Sequence, residues 1–224
     1  RVEKVEASTH GFRLTFSNNE SVEAKTILVT TGSTRKKLEI PGAKEFENKG
    51  ISYCASCDGP LFAGQDLVVI GGGNAGFETA AQLLNYAKSV ILLNRSETFK
   101  ADEATVEKIL EHQKMKVIKG AVTKEIKGDK FVTSLIYTDV AGHDQEIKTT
   151  GVFVEIGLVP TTWFVDGLIN LNQYKQIPVD PRTQRTSIEG IWAAGDCTDG
   201  LYHQNNIATG DAVKALEDIY LFLH

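Results

Sequence analysis

The glycine-rich hexapeptide at residues 71–76 constrains the fold of this chain more than any other segment. It follows a short apolar run at residues 66–70, and helix-forming residues follow it over positions 77–86. Residues 89–93 then have the pattern of a short buried strand. Strand, glycine turn, helix and strand in this order predict a βαβ unit with a parallel pair of strands.

The hexapeptide, Gly-Gly-Gly-Asn-Ala-Gly, also fits the G-x-G-x-x-G pattern of dinucleotide-binding loops. Its glycines permit a tight turn and let the backbone approach a pyrophosphate, while the following helix offers unpaired N–H groups. We therefore expect a dinucleotide to be bound by Gly71, Gly73, Asn74, Ala75 and Gly76. A glycine turn with a purely structural role is the alternative.

The residues after the second strand bear on the choice between NAD and NADP. An acid there would accept a hydrogen bond from the ribose 2′-hydroxyl, whereas an arginine would pair with a 2′-phosphate. The chain has Asn94, Arg95 and Ser96 at this point, and Lys100 follows on the same segment. This pattern favours NADP, with NAD as the alternative if Arg95 is only an exposed side chain on a solvated loop.

A single CxxC pair, Cys54 and Cys57, is followed directly by Asp58. Two intervening residues let both sulfurs meet across one turn, and a helix N-terminus there would stabilise a thiolate. Asp58 could serve as an acid or base for the exchanging thiol. A zinc site would need two further ligands, and Cys197 and the five histidines form no second paired motif. Redox chemistry is the favoured interpretation, with zinc or two inert cysteines as alternatives.

The composition limits the remaining functional classes. The net charge of −5 argues against a general nucleic-acid or anionic-membrane binder. No apolar run approaches the roughly 20 residues that span a bilayer, and no signal-peptide core follows the N-terminus. Three cysteines are too few for a secreted disulfide framework. We expect a cytoplasmic protein with no membrane or nucleic-acid partner.

Two crossings between domains are expected. Pro41-Gly42 marks a loop after a β-rich stretch with strands at residues 12–16 and 21–29, and a buried strand over residues 151–158 marks the second crossing. The expected domains are residues 1–42, 43–158 and 159–224. Cys197 is expected to be a small core residue. The tail over residues 207–223 predicts a helix whose apolar face comprises Ala208, Val213, Leu216, Ile219, Tyr220 and Leu223.

In their order along the chain, these motifs resemble the low-molecular-weight thioredoxin reductase family, a class of pyridine nucleotide-disulfide oxidoreductases. They are also similar to the flavoprotein of bacterial alkyl hydroperoxide reductase. The resemblance covers essentially the whole chain, and a CxxC shortly before a dinucleotide loop is its most specific feature. The segments that carry it are residues 31–32, 41–42, 54–59, 71–76, 157–160 and 195–197.

The resemblance implies an α/β fold in which a Rossmann-like dinucleotide-binding domain is inserted in a partial FAD-binding domain. It implies an electron relay from a nicotinamide dinucleotide through FAD to the Cys54–Cys57 disulfide. Cys57 would face the flavin, Cys54 would attack the disulfide of a thioredoxin-like or peroxiredoxin-type protein, and Asp58 would be the acid. The family also implies a homodimer. Further matches to cofactor-binding positions are Thr31, Gly32, Gly157, Gly195, Asp196 and Gln204.

The family's first segment, which carries a separate G-x-G-x-x-G for the ADP half of FAD, is absent from this sequence. Two explanations remain open: the sequence is part of a longer protein, or the flavin is held weakly or not at all. A non-catalytic nucleotide-binding module is the corresponding alternative to an enzyme.

Overall fold

The chain crosses twice between two structural units in the computed structural model, which describes all of residues 1–224. The first unit comprises Arg1–Thr34 and Leu158–His224, and the second comprises Arg35–Gly157. Residues 35–42, expected with the first domain, lie in the second unit because Leu38 and Ile40 pack against its core. The first crossing therefore precedes the expected boundary at residue 42.

Strands dominate the secondary structure, and four α-helices accompany them. The strands are β1 (Val2–Ser8), β2 (Gly11–Phe16), β3 (Ser21–Ala24), β4 (Ile27–Val29), β5 (Ser33–Arg35), β6 (Ile51–Ser52), β7 (Asp66–Ile70), β8 (Ser89–Asn94), β9 (Met115–Lys119), β10 (Val122–Gly128), β11 (Val132–Thr138), β12 (Asp144–Lys148), β13 (Gly151–Val154), β14 (Leu158–Pro160) and β15 (Ile191–Ala193). The helices are α1 (Ala55–Asp58), α2 (Asn74–Leu83), α3 (Glu103–Leu110) and α4 (Asn205–Leu223). None of them combines the length and the apolar composition needed to cross a bilayer.

Five parallel strands form the central sheet of the second unit, in the order β6-β13-β7-β8-β9. The predicted parallel pair is β7 and β8, which align Asp66 with Ser89 and Ile70 with Leu93. Helix α2 connects these two strands, so the predicted βαβ unit is confirmed. The helix begins at Asn74, earlier than predicted, because the glycine loop leads directly into its first turn.

Alternate residues of β7 build a core on each face of this sheet. Leu67 and Val69 pack in a cluster with residues of α2, whereas Val68 and Ile70 pack in a cluster with residues of the antiparallel sheet β10-β11-β12. The second unit therefore has three layers. Burial on both faces explains why this strand is a continuous apolar run in the sequence.

The first unit contains an antiparallel sheet of β1, β2 and β3 and a parallel pair of β4 and β15. The single extended run predicted over residues 21–29 is therefore two strands, because β3 pairs with β2 while β4 pairs with β15. The core of this unit includes Val5, Phe12, Ile177 and Ile191.

The C-terminal helix α4 confirms the predicted helix but not its predicted buried face. Ala215 is its one buried residue, and Leu216 is 60% exposed. The packed side instead includes Asp218, which accepts a hydrogen bond from Trp192 Nε1 at 2.9 Å, and Phe222, whose ring meets the Trp192 ring edge-on. The prediction was wrong for Val213, Leu216, Tyr220 and Leu223, which are exposed, because the helix packs through Ala215, Asp218 and Phe222 instead. The residues expected to be buried there are intermediate or exposed: Ala208, Val213, Leu216, Ile219, Tyr220 and Leu223.

Candidate active site

The CxxC pair lies at the carboxyl end of β6, on the four-residue helix α1. Cys54 precedes the first residue of this helix, and its Sγ accepts a hydrogen bond from the Cys57 N–H at 3.2 Å. The two sulfurs form a disulfide, with the Cα atoms 5.3 Å apart. Cys57 is exposed and Cys54 is half-buried. Bonded to each other, the sulfurs can accept two electrons, and neither is the thiolate that zinc would require.

A buried serine connects the expected acid to the cysteine motif. Ser52 Oγ donates a hydrogen bond to Asp58 Oδ2 at 2.5 Å and accepts one from the Cys54 N–H at 3.1 Å. The Asp58 N–H donates to the Cys54 carbonyl at 3.1 Å. Asp58 is thus held against the motif by two separate bonds. Ser52 was not predicted as a site residue, because a serine at the end of a short strand carries no motif of its own.

The glycine loop follows β7 and leads into α2. A Cβ on Gly76 would lie 1.9 Å from the Gly71 carbonyl oxygen, so the helix can start this close to the loop only with glycine there. Gly73 precedes the first turn of α2, and a Cβ on it would meet no atom within 4 Å. The open space at Gly73 and the unpaired N–H groups of the first turn, which includes Asn74 and Ala75, fit the pyrophosphate of a dinucleotide.

The segment after β8 places the expected cations beside the glycine loop. The Lys100 N–H donates to the Gly72 carbonyl at 2.9 Å. Arg95 and Lys100 are both exposed, and neither side chain forms an ion pair in the structure. Asn94, by contrast, is only 7% exposed. The two free positive charges fit a phosphate group on the adenosine side of the dinucleotide.

Glu155, immediately after β13, is a buried carboxylate that no sequence motif predicted as a site residue. It accepts a hydrogen bond from Thr79 Oγ1 of α2 at 2.8 Å and forms an ion pair with Arg35. Burial raises the pKa of Glu155 above its ordinary value, although the Thr79 hydrogen bond and the Arg35 charge oppose the shift. Gly157, an expected cofactor contact, has a φ of 109° and ends the second unit.

Three of these segments follow the carboxyl ends of strands in one parallel sheet. The CxxC follows β6, the glycine loop follows β7, and the Arg95 segment follows β8. Ligands of such sheets bind outside the carboxyl ends, where the strand order reverses, and that point here lies between β13 and β7. The structure therefore brings the expected residues of the second unit to the edge where a dinucleotide would bind.

The remaining expected cofactor contacts lie in the first unit. Since β4 and β15 are parallel neighbours, the segments after them, with Thr31-Gly32 and Gly195-Asp196, lie side by side. Asp196 is 3.5 Å from His203 Nδ1, and Gln204 precedes the first residue of α4. A Cβ on Gly32 would meet no atom within 4 Å. This open backbone beside exposed polar side chains fits one side of a flavin nucleotide.

Cys197, beside this edge, is fully buried. Its Sγ donates a hydrogen bond to the Val29 carbonyl oxygen at 3.5 Å, and burial raises the pKa of the thiol. Its burial confirms the prediction of a small core residue. A buried, neutral thiol is also unreactive in disulfide exchange.

Curated proteins of related sequence share most of this chain. The chain is 40% identical over 205 residues to an NADH dehydrogenase of Bacillus subtilis (strain 168), and the match covers 91% of this chain and 40% of that protein. It is 39% identical over 196 residues to an alkyl hydroperoxide reductase subunit of Escherichia coli (strain K12), covering 87% of this chain and 37% of that protein. The chain thus spans about 40% of the length of these relatives.

Solved structures of thioredoxin reductases share the fold. The Lactococcus lactis enzyme has a TM-score of 0.88 at 33% identity, and the match covers 99% of this chain and 73% of that chain. The T. acidophilum enzyme has a TM-score of 0.86 at 37% identity, with 99% and 73% covered. These matches confirm the expected fold class, an α/β fold with an inserted Rossmann-like domain. Since a model of the pyridine nucleotide-disulphide oxidoreductases also matches residues 1–212, the chain belongs to that family.

Proposed function

We propose that this chain carries the redox-active disulfide of a flavin-dependent reductase. Electrons would pass from NAD(P)H through FAD and the Cys54–Cys57 pair to thioredoxin or a similar small redoxin. The observation that carries the proposal is the position of this disulfide on the same sheet edge as the dinucleotide loop. Family membership and the thioredoxin reductases of similar structure support it.

Different residues of the chain would bind the two cofactors. The glycine loop and the start of α2 would hold the pyrophosphate of the nicotinamide dinucleotide, and Arg95 and Lys100 would pair with its adenosine side. FAD would be held in the first unit by Thr31, Gly32, Gly195, Asp196 and Gln204. When bound, the two cofactors supply the hydride and pass its electron pair to the disulfide.

The thiol chemistry follows from the geometry of α1. Reduction of the disulfide takes up two electrons and two protons and leaves two thiols. The Cys57 N–H, which points at Cys54 Sγ, stabilises negative charge on that sulfur. The Cys54 thiolate attacks the partner's disulfide, forms a mixed disulfide and displaces the partner's second sulfur. Cys57 then attacks Cys54 Sγ, which restores the disulfide and releases the partner as a dithiol.

Asp58 would accept and donate protons during this exchange. The Cys57 thiol must lose its proton before it attacks, and the departing partner sulfur must gain one. Asp58 follows Cys57 directly and is held by Ser52, which supports a role for its carboxylate in accepting the first proton and returning it.

Anaerobic titration of the full-length protein with NADPH and NADH tests the proposal. Bound flavin should give absorption bands near ~380 and ~450 nm, and reduction should create two new thiols that map to Cys54 and Cys57. A flavin that is reduced without any new thiol would refute the disulfide step. A full-length protein without flavin would instead support a non-catalytic nucleotide-binding module.

A second candidate partner is a peroxiredoxin-type protein. Relatives named as alkyl hydroperoxide reductase subunits favour it, at 39% identity in the Escherichia coli case. Rates with oxidised thioredoxin and with an oxidised peroxiredoxin would separate the two. We also propose a homodimer located in the cytoplasm, which sedimentation of the purified protein and cell fractionation would test.

A further inference from the structure

A buried carboxylate follows β13 and bonds to two other elements. The side chain of Glu155 is only 3% exposed. Its Oε1 accepts a hydrogen bond from Thr79 Oγ1 of α2 at 2.8 Å, and its Oε2 pairs with the guanidinium of Arg35 at the end of β5. Each oxygen of the carboxylate therefore has a partner of its own, a neutral hydroxyl on one side and a cation on the other.

The main chain fixes Glu155 in this position. Its N–H donates to the Ile70 carbonyl oxygen at 2.8 Å. Its own carbonyl oxygen would lie 2.1 Å from a Cβ on Gly71, so it packs directly against the start of the glycine loop. Since β13 is buried between β6 and β7, Glu155 cannot move outward to follow a partner that leaves.

The two ions of the Arg35–Glu155 pair differ in their access to water. The Arg35 side chain is 47% exposed, against 3% for Glu155. Arg35 can return its charge to solvent at little cost, whereas an ionised Glu155 without it would be a buried charge with one hydrogen bond. Separation of the pair is therefore unfavourable while Glu155 is ionised, and this obstacle disappears once Glu155 is protonated.

The charged groups that act on Glu155 belong to β5 and α2. Burial raises the pKa of Glu155 and the nearby carboxylate of Glu78 adds to the rise, whereas the Thr79 hydrogen bond and the Arg35 charge lower the pKa. The glycine loop at Gly71 and the end of β7 present main-chain groups at this point. Protonation of Glu155 is therefore expected at a higher pH than for an exposed glutamate.

Residues 35–37 attach the first crossing to the second unit. The Lys36 N–H donates to the Gly157 carbonyl oxygen at 2.9 Å. Lys37 forms an ion pair at the surface, where such pairs contribute little to stability. The Arg35 pair is the one contact of this segment that engages a buried ion, so its loss should loosen the segment most.

We propose that Glu155 is a proton-controlled clasp for the first crossing. Ionised Glu155 holds Arg35, and with it residues 35–37, against the second unit. When Glu155 takes up one proton from solvent, it becomes neutral, keeps the hydrogen bond from Thr79 and releases Arg35 to water. The clasp uses residues of the second unit alone and requires neither a bound cofactor nor the disulfide, so it is independent of the proposed reductase.

Hydrogen–deuterium exchange of the full-length protein tests the clasp. Exchange of a peptide covering residues 33–38 is measured by mass spectrometry from about pH 4 to about pH 8, and each rate is divided by the intrinsic rate at that pH. The corrected rate should be about fivefold or more higher at the acidic end, because the segment opens more often. A rise that spares strand β7, in the centre of the sheet, supports the clasp. A rate that does not change with pH, or a rise that β7 shares, overturns it.

Three variants assign the transition to the carboxylate. Glu155→Gln keeps an acceptor for Thr79 but cannot ionise, so the segment should exchange at the high rate at every pH. Arg35→Gln should do the same, and it decides the question if Glu155→Gln does not fold. Thr79→Val removes a donor to the carboxylate and should shift the transition to higher pH, an effect that a purely structural contact would not produce.

Glu47→Gln is the matched control, because it neutralises the acid that pairs with Lys37 on the same segment. The transition should persist in this variant at nearly the wild-type pH. A transition that vanishes in Glu47→Gln but persists in Glu155→Gln would assign it to the surface pair and overturn the proposal. A Thr79→Val transition at the wild-type pH or below would also contradict it.

Discussion

Ser52 Oγ donates a hydrogen bond to Asp58 Oδ2 at 2.5 Å while accepting one from the Cys54 N–H at 3.1 Å. One buried hydroxyl therefore fixes both the proposed acid and the backbone of the proposed nucleophile. Ser52, Cys54 and Asp58 all lie in the second unit, whereas the residues proposed to bind FAD lie in the first.

Replacement of Ser52 should slow the thiol exchange without abolishing it. Ser52→Ala removes the bond that orients Asp58, so we expect dithiol–disulfide exchange to slow about tenfold, against roughly 10²-fold or more for Asp58→Asn. The folded state should lose about 1–3 kcal/mol, since the partners of a buried hydroxyl are left unpaired. Stopped-flow exchange with an oxidised redoxin measures the rates.

Ser56→Ala is the matched control for that experiment. Ser56 lies in the same motif but is exposed, and its Oγ donates to Gln82 Oε1 at 2.7 Å rather than to Asp58. It should exchange at nearly the wild-type rate. Equal rates for the two serine variants would contradict a positioning role for Ser52.

The Cys57→Ser and Cys54→Ser variants should differ in whether they accumulate a mixed disulfide with the partner protein. Cys57→Ser should abolish disulfide reduction, leave reduction of the flavin by the nicotinamide cofactor largely intact, and accumulate a mixed disulfide between Cys54 and the partner. Cys54→Ser should give no such adduct, because this variant lacks the sulfur that attacks the partner's disulfide. Mass spectrometry under non-reducing conditions distinguishes the adducts. An adduct formed only by Cys54→Ser would reverse the proposed order.

Two glycines of the dinucleotide loop should respond differently to alanine. Gly76→Ala places a Cβ against the Gly71 carbonyl oxygen and should lower the free energy of unfolding by about 1–3 kcal/mol. Gly73→Ala meets open space and should change stability by less than about 1 kcal/mol, yet weaken dinucleotide binding because its Cβ stands where the pyrophosphate approaches. Thermal unfolding and calorimetry measure the two effects. Unchanged binding in Gly73→Ala would show that the pyrophosphate lies elsewhere.

Glu155 should contribute a distinctive pH dependence to stability. Burial raises the pKa of this carboxyl above its ordinary value of 4.5, so the folded state binds its proton more tightly than the unfolded state does. Its contribution to stability is therefore complete below that ordinary pKa and is lost as the pH rises through the raised pKa. Glu155→Gln should remove this decline, which unfolding midpoints measured from about pH 4, just below the reference pKa, to about pH 7 would show.

The control for Glu155 is a neighbouring carboxylate on α2. Glu78→Gln removes an exposed charge that makes a smaller contribution than burial to the raised pKa of Glu155, so it should reduce the decline only slightly. If Glu155→Gln and Glu78→Gln give the same profile as the wild type, the Glu155 carboxyl has an ordinary pKa in solution and its burial is incomplete.

The parts of the candidate site that depend on local spacing could be proposed from the sequence. The glycine loop, the CxxC and the cations at Arg95 and Lys100 depend on spacing within a few residues, and each follows the end of a strand in the structure. The α4 helix was predicted too, but its buried side was not. The helical period does not say which side is buried, and contacts with distant residues, such as those of Asp218 and Phe222 with Trp192, decide it.

The sequence by itself determined the βαβ unit with its glycine loop and favoured a redox role for Cys54 and Cys57, because each pattern depends on spacing within a short segment. Only the tertiary structure decided which polar groups support them. Thr79 and Arg35 meet Glu155 across 76 and 120 residues of sequence, and Lys119 meets the Asn94 loop through strand order. Such partners share no local pattern, since the packing of the sheet, rather than the spacing of residues, brings them together.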